Sequence, residues 1–239
     1  MKVITNIFRS SLGKKYIMAV SGLVMFLFVI GHLVGNLQFF LGAESINRYG
    51  HFLQTNLEVI WPARIVLLIT LALHIWSAIK LSAENRAARP VPYANWNPTV
   101  ASYASRTMLM SGLIVFAFII YHLLHYTLVV KQINLTGQDF STFEDPEKRH
   151  DIFKMMVVGF SNPWVSIFYV VGIALLCLHL SHGVSAMFQS LGLKNKVYGP
   201  CLDSGARLIA WLIFIGYVSI PISVLVFHYG VHYGQEVVK

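Results

Sequence analysis

Four of the ten histidines, His32, His74, His122 and His179, stand well inside long apolar runs. A polar side chain there is costly to bury and usually serves function. A low-dielectric surrounding favours the neutral imidazole, the form that ligates a metal. Any one of these histidines could be a hydrogen-bonded packing residue. Four on four separate runs ask for a shared explanation. Zinc gathers three or four ligands, often with a carboxylate or thiolate, and no carboxylate accompanies these histidines. Paired imidazoles suit a haem iron, because the porphyrin supplies four nitrogens and the protein two axial ligands.

The elements that must carry them are membrane spans. The chain has 239 residues, 56% hydrophobic and only 12% charged, with a mean hydropathy of +0.63. That is not the composition of an ordinary soluble domain. The pattern predicts an all-α integral membrane protein, a single domain over residues 1–239 with spans at about 16–41, 61–81, 107–131, 164–188 and 208–230. Four of the spans would form the core and the fifth would be an addition. Trp61-Pro62 opens the second span and Pro163-Trp164 the fourth, while Pro221 should bend the fifth. The basic N-terminus followed by an apolar run resembles a signal peptide, but no small-residue cleavage site ends the run, so it reads as a retained span.

Loop charges orient the bundle. One side collects eleven basic residues against Glu84 and Asp203, and the other seven basic residues against eight acidic ones. The positive-inside rule puts the first side and the N-terminus in the cytoplasm, and the C-terminus outside. This asymmetry accounts for the net charge of +8 without nucleic acid, for which no basic face exists. The loop from about 132 to 163, with its charged run Glu144-Asp145-Pro146-Glu147-Lys148-Arg149, reads as solvated. Cys177 lies in an apolar run and Cys201 in an expected loop, too far apart along the chain to suggest a disulfide or a metal site.

With this topology His32 and His122 share a level in the outer half, and His74 and His179 share one in the inner half. Spans one and three also share a Ser-Gly pair, Ser21-Gly22 and Ser111-Gly112, with the glycine ten residues before the histidine. Ten residues are about 15 Å of helix and leave glycine and histidine about 80° apart around the axis. The glycine is therefore not on the face of its own histidine, and ordinary small-residue packing is an equal reading. Gly183 follows His179 by four, on one face, where it could admit a porphyrin edge, and Ala78 holds the corresponding place after His74. The repetition suggests a duplicated two-helix unit.

Five spans, GHLVGN at His32, LHIWSA at His74, YHLLHY at His122 and HLSHG at His179 together resemble a known family over nearly the whole chain. It is the di-haem cytochrome b (b558-type) membrane anchor of bacterial succinate:quinone oxidoreductases, the succinate dehydrogenases and fumarate reductases. The resemblance implies two haem b groups, His74 and His179 holding the inner and His32 and His122 the outer. It favours His179 over His182 and His122 over His125 as ligands. It implies an iron–sulfur subunit docked on the cytoplasmic side, a flavoprotein with FAD where succinate and fumarate interconvert, and a quinone, expected to be menaquinone. The chain would then carry electrons of the tricarboxylic acid cycle across the bacterial cytoplasmic membrane, in a respiratory complex able to oligomerise. An acidic residue that some members place just before the fourth-span ligand is missing, because Cys177 and Leu178 stand there.

Anionic propionates want basic or hydroxyl partners. On the inner side His182, Ser181, Arg106 and Lys80 are candidates, and on the outer side His125, Tyr126 and Arg64, the last equally suited to lipid headgroups. The first outer loop offers Arg48, Tyr49, His51 and Glu58 as quinone contacts. His228 and His232, four apart, could share one helical face. The segment 82–106, with Tyr93 and Trp96, should dock the iron–sulfur subunit. The alternative is a di-haem subunit of another quinone-linked dehydrogenase or of a hydrogenase, with a transporter or structural membrane protein further off.

Overall fold

A computed structural model of the chain describes residues 2–88 and 107–236. The described residues form α1 (Lys2–Arg9), α2 (Ser11–Leu37), α3 (Ala43–Thr55), α4 (Leu57–Ala87), α5 (Met108–His122), α6 (Ile152–Ser161), α7 (Pro163–Ser190), α8 (Gly199–Leu225) and α9 (Val231–Glu236). A 3₁₀ turn, Gln38–Leu41, prolongs α2, and a π-turn, Leu123–Thr127, prolongs α5. Five helices are long and apolar enough to cross a membrane, Ser11–Leu41, Leu57–Ala87, Met108–Thr127, Pro163–Ser190 and Gly199–Leu225. This is the all-α membrane architecture read from the sequence, and the chain is an integral membrane protein. Large apolar side chains such as Leu68, Ile69, Trp164, Trp211 and Ile215 stay exposed along these helices, as a lipid-facing surface requires.

Local chemistry sets the boundaries. The Ser10 hydroxyl accepts from the Gly13 amide at 3.0 Å and caps α2. Asn162 accepts from the Trp164 amide at 3.0 Å with Pro163 as the first helical residue of α7. Asn195 caps the approach to α8 through the Val197 and Tyr198 amides. The fifth span therefore begins at Gly199, nine residues before the expected 208, and Cys201 sits on a helix rather than in a loop. Helix α8 runs through Pro221 to Leu225. His228 follows in a turn with φ of 54°, so it shares no helical face with His232 on α9.

The described chain divides into two compact units, each assembled from separated segments. The first comprises Met1–Val29, Ala63–Leu113 and Leu178–Ala210. Here Lys14, only 4% exposed, reaches the Glu84 carboxylate at 2.5 Å and the Arg9 carbonyl at 2.9 Å, tying α2 to α4. Lys194 pairs with Asp203 at 2.6 Å, and the Ser185 hydroxyl donates to the same carboxylate.

The second unit comprises Ile30–Pro62, Ile114–Cys177 and Trp211–Lys239. It corrects in part the expectation of a solvated loop over 132–163, where Glu144, Glu147 and Lys148 do stay exposed. Asp145, Arg149, Asp151 and Lys154 are buried, and α6 is buried over most of its length. Arg149 donates to Asp145 at 2.7 Å and to Glu44 at 2.6 Å. Asp151 caps α6 by accepting from the Lys154 amide, and also accepts from Asn47 at 3.0 Å and Tyr233 at 3.2 Å. Five charges within six residues look solvated when only their number is counted. Here ion pairing and amide donors compensate the burial of two of them. Phe140, Phe143 and Met155 form a small apolar core beneath the same loop.

Candidate functional site

The first unit brings His74 of α4 and His179 of α7 together, with ring centroids 6.3 Å apart and planes at 66°. Their ring orientations are set from neighbouring helices. His74 Nδ1 lies 3.1 Å from the Met18 carbonyl and 3.3 Å from the Ser21 hydroxyl. A carbonyl only accepts, so Nδ1 carries the proton and Nε2 is left bare. The Ser21 hydroxyl spends its own proton on the Ile17 carbonyl at 2.6 Å, so it too faces the ring as an acceptor. The same device recurs one repeat later. Ser111 donates to Met108 at 3.1 Å and meets His179 Nδ1 at 3.3 Å.

The glycines belong to this arrangement. A Cβ on Gly22 would lie 3.3 Å from Cε1 of His74, and one on Gly112 would lie 3.3 Å from Cε1 of His179. The sequences MAVSG (18–22) and MLMSG (108–112) are thus two platforms, each holding the histidine of another helix. Sequence reasoning related each Ser-Gly pair to the histidine of its own span. The 80° offset noted there was the available sign that it serves a different one. At Gly183 a Cβ would make only an ordinary van der Waals contact, with the Met108 methyl at 3.8 Å.

The second unit brings His32 of α2 and His122 of α5 together, with centroids 5.8 Å apart and planes at 76°. Phe118 stacks near His122 at 6.3 Å, and Tyr217 lies 6.2 Å from His32. His122 Nδ1 lies 3.3 Å from the Tyr169 hydroxyl, which also lies 3.1 Å from Nδ1 of His125. The π-turn after His122 carries His125 into a fully buried position, stacked on Tyr126 at 4.0 Å. Such turns are rare and concentrate at functional sites. His125 Nε2 and the Tyr126 hydroxyl are buried without a hydrogen-bond partner among the described residues. Tyr169, missed in the sequence, precedes His179 by ten residues, as Gly22 precedes His32 and Gly112 precedes His122. Each of these helices carries a histidine of one pair and a support for the other.

The remaining candidates divide. His182 is half-buried on α7, Ser181 donates to the Leu178 carbonyl of its own helix at 2.7 Å, and Lys80 and Arg64 are exposed on α4. Arg106, Tyr93, Trp96 and the rest of the docking segment beyond residue 88 lie outside the described residues. Arg48, Tyr49 and His51 share α3, while Glu58 opens α4, and no hydrogen bond or ion pair joins the four. Arg48, His51 and Glu58 are exposed. Tyr49 packs on Gly35, where a Cβ would come within 2.8 Å of its hydroxyl. A cavity of about 300 Å³ opens in the second unit between Gln54, Tyr126, Thr127, Ser141 and His150.

Outside the spans, electrostatics favours the ionised network. A hydrogen bond from Arg149 holds Glu44 below the usual carboxylate range. Burial alone would raise Asp145, but hydrogen bonds from the Arg149 backbone and side chain hold it below its ordinary value. Burial lowers His150. Burial, with Asp151 beside it, pushes Tyr233 up to about 12.

Among the described residues no group of three or more His, Cys, Asp or Glu side chains converges as a metal site. What converges is imidazole in twos. No curated protein and no solved structure matches the chain. Residues 82–220, more than half of the chain, match the family described as Succinate dehydrogenase/Fumarate reductase transmembrane subunit. Helices, paired histidines and sequence match meet in one statement: this chain belongs to the transmembrane-subunit family of succinate dehydrogenases and fumarate reductases.

Proposed function

We propose that the chain is a di-haem cytochrome b anchor, passing electrons between an iron–sulfur subunit and a quinone through two b haems. The observation that carries this reading is the spacing of the two histidine pairs. Two imidazoles that would share one iron need centroids about 6.2 Å apart, a metal–nitrogen distance of ~2.0 Å and ~1.1 Å of ring on each side. The pairs stand at 6.3 and 5.8 Å. The residues present therefore fit two such groups, with His74 and His179 holding one and His32 and His122 the other.

Bound haem supplies one-electron chemistry. The chain's own residues do the rest. Met18 and Ser21 fix the tautomer of His74 and leave its Nε2 bare, and Ser111 supports His179 at Nδ1. Gly22 and Gly112 keep backbone close beneath the rings, and Gly183 leaves room on α7. The buried His125 Nε2 and Tyr126 hydroxyl suit an anionic or carbonyl oxygen near the His32–His122 pair. Quinone exchange is assigned to the same unit, through α3 with Arg48, Tyr49 and His51, and Glu58 at the start of α4. The 300 Å³ cavity beside Gln54 and His150 meets the lower limit for a small-molecule pocket. The charge asymmetry supports a cytoplasmic N-terminus, with the iron–sulfur subunit on that side and the flavoprotein beyond it.

Pyridine haemochrome analysis of the purified complex, against protein mass, tests the reading. Two haem b per chain is expected, together with copurified flavoprotein and iron–sulfur subunits. One haem, or none, ends the two-pair assignment.

A further inference from the structure

Tyr169 is 6% exposed, and its hydroxyl lies within hydrogen-bond distance of two imidazoles and of no other group among the described residues. A phenol has one proton to give and must place it when buried. If His122 coordinates through Nε2, its Nδ1 is protonated and can only donate to Tyr169. The phenol proton is then excluded from His122 and has one remaining acceptor, Nδ1 of His125 at 3.1 Å. That choice places the His125 proton on Nε2, the buried atom that finds no partner among the described residues. The hydrogen bonds have one consistent direction, from His122 through Tyr169 to His125.

We propose that Tyr169 is a positioning residue for the His32–His122 site, its hydroxyl fixing the His122 ring and raising the electron density on that imidazole. The proposal rests on the haem reading above. A ring N–H that donates to oxygen makes the opposite nitrogen a stronger ligand. A stronger ligand favours the oxidised iron and lowers the midpoint potential of that site. The His74–His179 site is supported differently, by serine and a backbone carbonyl, so the two sites should respond separately to substitution.

Redox titration of the whole complex, followed by optical and EPR signals, tests this. His122→Ala is measured first and should delete one haem signal. If both remain, the haem assignment has failed and Tyr169 is not at issue. Tyr169→Phe should keep both haems and raise the midpoint of the one that His122→Ala deletes. The expected change is about tenfold in the reduced-to-oxidised ratio, ~59 mV for a one-electron couple. The other midpoint should stay in place. Unchanged midpoints, or equal shifts in both, overturn the proposal. If Tyr169→Phe loses the haem outright, His125→Leu decides. It removes the acceptor that orients the phenol proton and should raise the same midpoint by less. An unaltered midpoint in that variant overturns the relay.

Discussion

The Ser21 hydroxyl stands 3.3 Å from Nδ1 of His74, a residue of another helix, although Ser21 is eleven positions before His32 on its own. Ser111 repeats the relationship with His179 at the same distance. The two helices that carry His32 and His122 thus hold up the other pair. A glycine follows each serine because the ring it supports lies against the backbone there.

That geometry sets the cost of enlarging the glycines. A Cβ at Gly22 meets His74 Cε1 at 3.3 Å, which the ring can relieve by a few tenths of an ångström. Gly22→Ala should therefore be tolerated. Gly22→Val adds two methyls and should force the ring out of place, with an overpacking cost of about 1–3 kcal/mol. Haem at the His74–His179 site should fall while the other site stays loaded. Gly112→Val should give the same pattern through His179. Gly183→Val is the contrast. Its Cβ would meet only the flexible Met108 methyl at 3.8 Å, so insertion should be normal, and a loss of haem there would mark the porphyrin edge. If the two proposed haems are bound, haem absorbance and content of each variant check all three.

The buried ion network outside the spans makes a second prediction. Asp145 and Arg149 have side chains 1% and 9% exposed, while Glu44 is 59% exposed. Arg149→Met leaves Asp145 buried without its cation and should clearly destabilise the segment 143–156. Glu44→Gln removes only the solvated partner and should destabilise the segment less. Hydrogen exchange of α6 amides reports both. Equal effects would show that the network does not depend on burial.

Acidification should open the same segment in two stages. His150 is held neutral by burial, with its pKa below the ordinary 6.5, so its contribution is present above 6.5 and fades as pH falls toward the lowered value. Glu44 and Asp145 have depressed pKa values, so their contribution is present above the ordinary carboxylate range and is lost as pH falls through it. Exchange in residues 143–156 should rise first below pH 6.5 and again in the carboxylate range. His150→Gln should remove the first rise and leave the second.

Much of this was legible in the sequence because it is written in strong local signals. Twenty-residue apolar runs allow few structures in lipid, and four histidines inside them stand out against leucine and valine. The supports of those histidines are not local. Ser21 and His74 are 53 positions apart, and Tyr169 and His122 are 47. Serine in a helix ordinarily bonds back to its own turn, as Ser21 also does with Ile17, so its second role is hidden until the helices pack. The loop at 132–163 misled for a related reason. Its charges pair with Glu44 and Asn47 of α3, about a hundred residues away, and composition does not reveal a partner.

The sharpest discrimination concerns His179 and His182, which sit three apart on α7 and both read as ligands by type. His179 faces His74 and receives the Ser111 support, while His182 is half-buried nearer the end that carries Lys194 and Asp203. Removing His179 leaves His74 without an opposite imidazole at the spacing that fits iron, so His179→Ala should delete the haem of that pair and uncouple electron flow from the iron–sulfur subunit. His182→Ala removes neither a ring of the pair nor its Nδ1 support. It should retain both haems, with at most a shifted midpoint from an altered surrounding. His32→Ala should delete the other haem and leave this one in place. Optical redox titration of the three variants reads the result directly. Loss of a haem in His182→Ala with both kept in His179→Ala would reverse the assignment on α7. Loss of the same signal in His32→Ala and His74→Ala would mean that the two pairs are not separate sites.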